Sequence, residues 1–175
     1  CRQAPSEWVE LLNGNNLENW KTVLQPEHFK IEDGNLVCSG ESGFSLAETA
    51  GMFKNFELEA EIKTSADAFS AILFHTSENH TMASPQGYQV IIQNSHRQTT
   101  EKQRAMKTGS LIGVRNLYFP MVNDEEWFTL SVKVVENQIE TFINGIRVMK
   151  YVQPGKPWRS SNHENKILSE GYIGI

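Results

Sequence analysis

The sequence has only two cysteines, Cys1 and Cys38. Two thiols supply neither zinc-ligand spacing nor a disulfide framework. No apolar run approaches the roughly 18 residues of a membrane-spanning helix. Lys and Arg are not clustered, and the formal net charge is −5 with a pI near 5.6. That balance argues against a surface tracking phosphates, so nucleic acid is not an expected partner. The H-E-x-x-H and H-x-E-x-H patterns, G-x-S-x-G and a phosphate-cradling glycine loop are all missing. Zinc peptidase, nucleophile-elbow hydrolase and nucleotide-binding readings therefore have no support. No segment sustains a 3.6-residue apolar period, which excludes a helical domain.

What the chain has is aromatic bulk and alternation. Its 175 residues fit one domain, and nine Phe, four Trp and four Tyr supply a core. Strands are expected throughout. "WVELLNGNNLENW" opens with a short apolar strand and an "NGNN" turn. "FKIEDGNLVCS" is a hairpin about Asp33-Gly34. "FELEAEIKT" alternates Phe56, Leu58, Ala60 and Ile62 with Glu57, Glu59, Glu61 and Lys63. "FSAILFHTS" is more continuously apolar, as in a strand covered on both faces. In "GYQVIIQNSH", Tyr88, Val90 and Ile92 face the core, and Gln89, Ile91 and Gln93 lie on the other face. "WFTLSVKVVENQIETFINGIRVMKY" holds two or three strands, turned at Glu136-Asn137 and Asn144-Gly145, and "GYIGI" is strand-like. Residues 94–126 are the least regular stretch. The pattern is all-β, a sandwich or jelly roll with one sheet face open as a groove.

Cys1 followed by polar "RQAPSE" reads as a tether over residues 1–7, ahead of a single domain at 8–175. Bacterial lipoproteins begin with a lipid-bearing Cys after signal removal. The alternatives are an arbitrary boundary or a Cys1–Cys38 bridge. "NHT" at 79–81 is a formal glycosylation sequon.

Glu57, Glu59 and Glu61 suggest paired glycosidase carboxylates, but with Lys63 they read first as a solvated strand face. His75 and His96 sit at strand ends, and an imidazole near a groove can act as a general base. Each could equally be a hydrogen-bonded surface residue. Arg115 lies in a glycine-punctuated stretch where a cation could hold an oxyanion or a sugar hydroxyl. Tyr118, Trp127 and Trp158 could stack on sugar rings. Trp127, beside "FTLSV", reads as core, and Trp158 lies in a polar loop.

Taken in order, "WVELLNGNNLENWK", "FKIEDGNLVCSG", "GFSLAETAGMFKNFELEAEIKT", "AILFHTS", "GYQVIIQN", "TGSLIGV" and "EWFTLSVKVVENQIETFINGIRV" resemble the 3-keto-disaccharide hydrolase domain family, from Trp8 to Ile175. The resemblance implies a concanavalin A-like jelly roll: two curved antiparallel sheets with a concave carbohydrate face. It also implies a bacterial periplasmic or cell-surface location, in keeping with a lipid on Cys1. The activity implied is cleavage of glycosides oxidised at C3, by base-catalysed elimination or hydrolysis. A C3 ketone acidifies the C2 proton, so paired carboxylates become unnecessary. His75 or His96 would be the base and Arg115 the enolate partner; a divalent cation could replace or assist Arg115, and no metal ligands are identified. Gln89, Gln93, Asn94, Tyr118 and Trp158 would bind an oligosaccharide or glycoside.

The chain departs from the family pattern in several places. Gln89, Ile91 and Asn94 stand where relatives show an acid, a Gln and an Asp, and His75 stands where Arg is common. The family usually continues past "GYIGI" into one more strand. A domain ending there has an open edge, so the sequence is a fragment or this member closes differently. Amides bind sugar hydroxyls but are not bases. A non-catalytic glycan-binding module, or a structural or partner-binding β-sandwich, are the alternative readings.

Overall fold

The computed structural model describes residues 8–40, 42–81, 86–95 and 106–175. The tether expected at 1–7, Cys1 and His96 lie outside them. The described residues form eleven strands: β1 (Lys21–Leu24), β2 (Phe29–Glu32), β3 (Asn35–Cys38), β4 (Phe44–Leu46), β5 (Phe56–Lys63), β6 (Ser70–Thr76), β7 (Tyr88–Ile92), β8 (Trp127–Val135), β9 (Gln138–Ile143), β10 (Ile146–Val152) and β11 (Tyr172–Gly174). They form a jelly-roll sandwich. One sheet runs β1-β4-β11-β6-β7 and the other β10-β9-β8-β5, with β2–β3 as a separate hairpin. All named pairings are antiparallel.

The turns follow local chemistry. Asp33 and Gly34 both have positive φ (50° and 78°), as do Asn144 and Gly145 (48° and 76°). Two successive positive φ values are what a type I′ hairpin turn requires, and Asp-Gly and Asn-Gly adopt them at low cost. The Asn144 side chain also accepts the Thr129 amide at 2.9 Å, tying the β9–β10 turn to β8.

Period-two alternation builds the core. Phe128, Leu130, Val132 and Val134 of β8 meet Ile72, Phe74, Tyr88, Val90 and Ile92 of the facing sheet. Phe44, Leu46 and Leu73, with Tyr172, form a second cluster. Every residue of β6 from Ile72 to Thr76 is buried, as its continuous apolar run predicts.

The two seams of the sandwich differ. Along β7 the ladder continues through an irregular segment: Ile91 N–H donates to Ser110 O and Gly109 N–H to Ile91 O, each at 2.9 Å. Thr141 Oγ1 of β9 donates to Gly109 O at 2.9 Å, so this segment ties the two sheets together. Along β5 nothing comparable occurs among the described residues, and β5 pairs only with β8.

Three expectations change. Residues 8–12 form no strand. The Leu11 carbonyl is taken by the Trp20 indole N–H at 2.8 Å, which diverts it from a ladder. Trp127 is exposed rather than core, because alternation turns Phe128 inward and leaves its neighbour outside. The second face of β7 is not open, since Ile91 and Gln93 are fully buried.

Gly87 has φ +70°, and a Cβ there would lie 2.3 Å from the Phe74 carbonyl oxygen. Gly155 has nothing within 4 Å. Gly87→Ala is expected to lower the unfolding free energy by about 1–3 kcal/mol, and Gly155→Ala to leave it within about 0.5 kcal/mol. Urea denaturation of the two variants checks this.

Candidate functional site

Two groups of polar side chains stand at opposite ends of β7. At its C-terminal end Asn94 is a structural hub. Its Nδ2 donates to Thr64 Oγ1 (2.9 Å) and Asn123 O (3.2 Å), and its Oδ1 accepts from Thr108 Oγ1 (2.6 Å). Thr108 Oγ1 also accepts the Gln93 amide at 2.8 Å, and Thr64 Oγ1 donates to Asp124 at 2.6 Å. These bonds take up both ends of the Asn94 amide. Gln93 and Asn94 are buried here, and the network joins β7 to the start of β8.

At the other end stands Gln89. Its Oε1 accepts Lys166 Nζ at 2.9 Å, and its backbone carbonyl accepts the Ile112 amide at 3.1 Å. Lys166 is buried, and burial followed by the nearby Arg159 charge pushes its amine down to about 8. Among the described residues no carboxylate lies within ion-pair distance of it.

A clasp places Lys166. Arg159 donates through its NH2 group to both Tyr88 Oη and Tyr151 Oη at 2.8 Å, and through Nε to the Lys166 carbonyl at 3.0 Å. Tyr88 Oη donates to Gln153 Oε1 at 2.6 Å, and that oxygen also accepts the Leu168 amide at 2.9 Å. Burial pushes the Tyr88 phenol up to about 12, so it remains a neutral donor. Residues 158–168 are thus fastened to both sheets, since Tyr88 belongs to β7 and Tyr151 to β10.

His163 follows in the same segment. Its ring lies against Gly113, where a Cβ would fall 1.8 Å from Cδ2, and its Nδ1 is 3.2 Å from Ser160 Oγ. Gly113 is two residues before Arg115, whose side chain is exposed. Tyr118 and Trp158 are 64% and 84% exposed. Gln89 and the Arg115 loop therefore share a neighbourhood with Lys166 and His163.

His75 is elsewhere. It is buried at the end of β6 with φ 53°, its Nε2 3.0 Å from the Lys54 carbonyl and its Nδ1 accepting the Ser169 amide at 3.2 Å. Nε2 therefore carries the proton, and both ring nitrogens are committed to backbone. Burial lowers its pKa. His80 is also lowered, by burial and then by the Lys166 charge; its Nδ1 accepts the Gln86 amide at 3.1 Å. Among the described residues no three His, Cys, Asp or Glu side chains gather as metal ligands.

The glutamates of β5 face outward, away from this cluster; Glu57 pairs with Lys133 at 3.0 Å. Sequence reasoning missed Lys166 and Arg159. Neither lies in a patterned segment, and Tyr88 was legible only as core.

The family model for the 3-keto-alpha-glucoside-1,2-lyase-like domain matches residues 7–175. The chain belongs to this family. Two proposed glycosyl hydrolases from Parabacteroides distasonis share the fold. One has a TM-score of 0.77 and 20% identity, over 94% of this chain and 84% of that one. The other has a TM-score of 0.64 and 22% identity, over 93% and 87%. The carbohydrate binding module CBM66 from Bacillus subtilis follows at 0.60 and 12%, over 91% and 87%. No curated protein matches. The family and these folds make the chain a carbohydrate-related β-sandwich domain.

His75 and His80 have folded pKa values below their unfolded ones, so both favour the fold when neutral. Their stabilisation is complete above about pH 6.5 and is lost as pH falls from there toward the folded values. His75→Gln is expected to shrink the fall in urea midpoint between about pH 7.5 and about pH 5, even where the variant starts lower.

Proposed function

We propose that this domain cleaves glycosides carrying a ketone at C3, at the cluster of Gln89, Lys166, His163 and Arg115. The observation that carries the reading is the Lys166–Gln89 pair: a buried ammonium with no carboxylate partner among the described residues, on the face of β7 opposite the core. A cation kept without an anion in low dielectric is costly to the fold and favours an anion arriving with substrate.

The reaction needs three groups. A base takes the C2 proton, and its electron pair forms a C1–C2 double bond as the C1–O bond breaks. An electrophile holds the negative charge that develops on the C3 oxygen, and the departing oxygen takes a proton. Addition of water across the double bond completes hydrolysis. Lys166 holds the C3 oxygen, Gln89 orients Lys166 through its amide oxygen, and Arg115 adds charge from the loop. His163 is the base in place of His75, whose nitrogens serve the backbone. Trp158 and Tyr118 offer exposed rings for sugar stacking.

A second reading, glycan binding without turnover, is favoured by the amide of the half-buried Gln89, by the exposed rings of Tyr118 and Trp158, and by the jelly-roll binding module among the similar folds. The location at the periplasm or cell surface through a lipid on Cys1 remains part of the proposal. A cell-fractionation experiment with Cys1→Ala addresses it.

Incubation with an aryl 3-keto-glucoside, with and without chelator, tests the enzymatic reading. Release of the aglycone is expected, with Lys166→Met lowering kcat/KM by about 10²–10³. The rate should fall as pH rises through about 8, where Lys166 loses its proton. Lys166→Arg should move that limb upward, since guanidinium stays charged. Absence of turnover at every pH, with glycan binding retained by calorimetry, replaces this reading with the module.

A further inference from the structure

We propose that the aglycone of the substrate is a planar aromatic group bearing a negative charge, received by the two loops that flank Gln89 and Lys166. The inference rests on the glycoside-cleaving reading and names the group that departs with the C1 oxygen. One loop, residues 109–122, lies between β7 and β8; the other, residues 153–168, lies between β10 and β11. The Ile112 amide, bonded to the Gln89 carbonyl at 3.1 Å, sets the first beside β7. Arg159, bonded to Tyr88 Oη and to the Lys166 carbonyl, sets the second there too. The two meet where the His163 ring lies against Gly113.

Large apolar side chains project from both loops into solvent. Phe119 is 81% exposed, Tyr118 64%, Met121 52% and Trp158 84%. Single exposed apolar residues are ordinary, but a group of them beside a polar cluster marks a binding surface. The backbone beneath them is held. The Leu117 amide donates to Ser110 Oγ at 2.8 Å, and the Leu117 carbonyl accepts the Lys107 amide at 2.9 Å. Pro120 follows Phe119 and Pro157 precedes Trp158. A proline fixes its own φ and restricts the residue before it, which lowers the entropy that stacking must overcome.

Charge selects the kind of ring. Residues 106–122 and 154–163 contain no Asp or Glu, yet carry Lys107, Arg115, Lys156 and Arg159, in a chain of net charge −5. Among the described residues, Lys107, Arg115 and Lys156 form no ion pair. An aromatic carboxylate meets both the rings and the cations. An aliphatic aglycone meets only the apolar part, and a cationic one is repelled.

The test compares kcat/KM for 3-keto-glucosides whose aglycone is ethyl, benzyl, para-carboxybenzyl or para-aminomethylbenzyl, together with a 3-keto-disaccharide. The alkyl leaving oxygens are alike in acidity, so differences among the first four report aglycone recognition. Benzyl should exceed ethyl about tenfold. The carboxylate should exceed the aminomethyl compound about fivefold at low salt, and that gap should close at high salt. Phe119→Ala should reduce the benzyl preference and leave the ethyl compound unchanged, whereas Lys156→Gln should narrow only the charge preference. Equal kcat/KM across the four, or a disaccharide preferred to the para-carboxybenzyl compound, overturns the inference and leaves the glycoside-cleaving reading standing. If none is cleaved, that reading falls, and tryptophan fluorescence decides the inference. Saturable quenching by the para-carboxybenzyl glucoside, weakened in Phe119→Ala, supports it; absent quenching, or quenching indifferent to Phe119, overturns it.

Discussion

The Arg159 guanidinium bonded to two phenols is the contact on which the arrangement around Lys166 depends. It joins β7 to β10 across the sandwich and holds the backbone of the loop that follows β10. A guanidinium suits this position because its planar fork can serve two hydroxyls and a carbonyl at once. Burial keeps the Tyr88 phenol neutral, so its bond to Arg159 leaves the positive charge near Lys166 uncancelled. Burial and this neighbour bring the Lys166 amine near neutrality. The electrostatics of the cluster thus follow from how the loop is fastened.

The ends of β7 show how one strand can serve two purposes. Asn94 spends its amide within the protein, linking Thr64, Thr108 and Asn123. Gln89 has only its oxygen taken by a side chain, and that side chain is a cation. Identical chemistry, a primary amide at a strand terminus, is structural in one place and a candidate ligand group in the other. Only the partners distinguish them.

This explains what could be read from the sequence. The hairpins at Asp33-Gly34 and Asn144-Gly145, the alternation of β5 and the buried run of β6 are local properties, and local periodicity and turn chemistry specify them. The jelly-roll class and the family followed from the order of such blocks. Lys166, Arg159 and His163 lie in a loop without period, and the proximity of this loop to Gln89 comes from bonds between residues 71 and 77 apart in the chain. His75 looked like a base because strand-end imidazoles often are. Its positive φ and two backbone bonds are tertiary facts that no neighbouring residue announces. Trp127 was misplaced by a single register step, the distance between the two faces of a strand.

The arrangement of strands along the chain also divides the entropy of folding unevenly. β8, β9 and β10 are consecutive and joined by two-residue turns, so their sheet closes only short loops. The facing sheet seats β11, 126 residues or more after β4 in sequence, between β4 and β6. Its pairing of Gly174 with Leu46 must close a loop through most of the polypeptide. Loop-closure cost and contact order set the pace of such pairings. The meander can therefore assemble early, and β4 and β6 of the sheet bearing Gln89 are bridged only when β11 arrives between them.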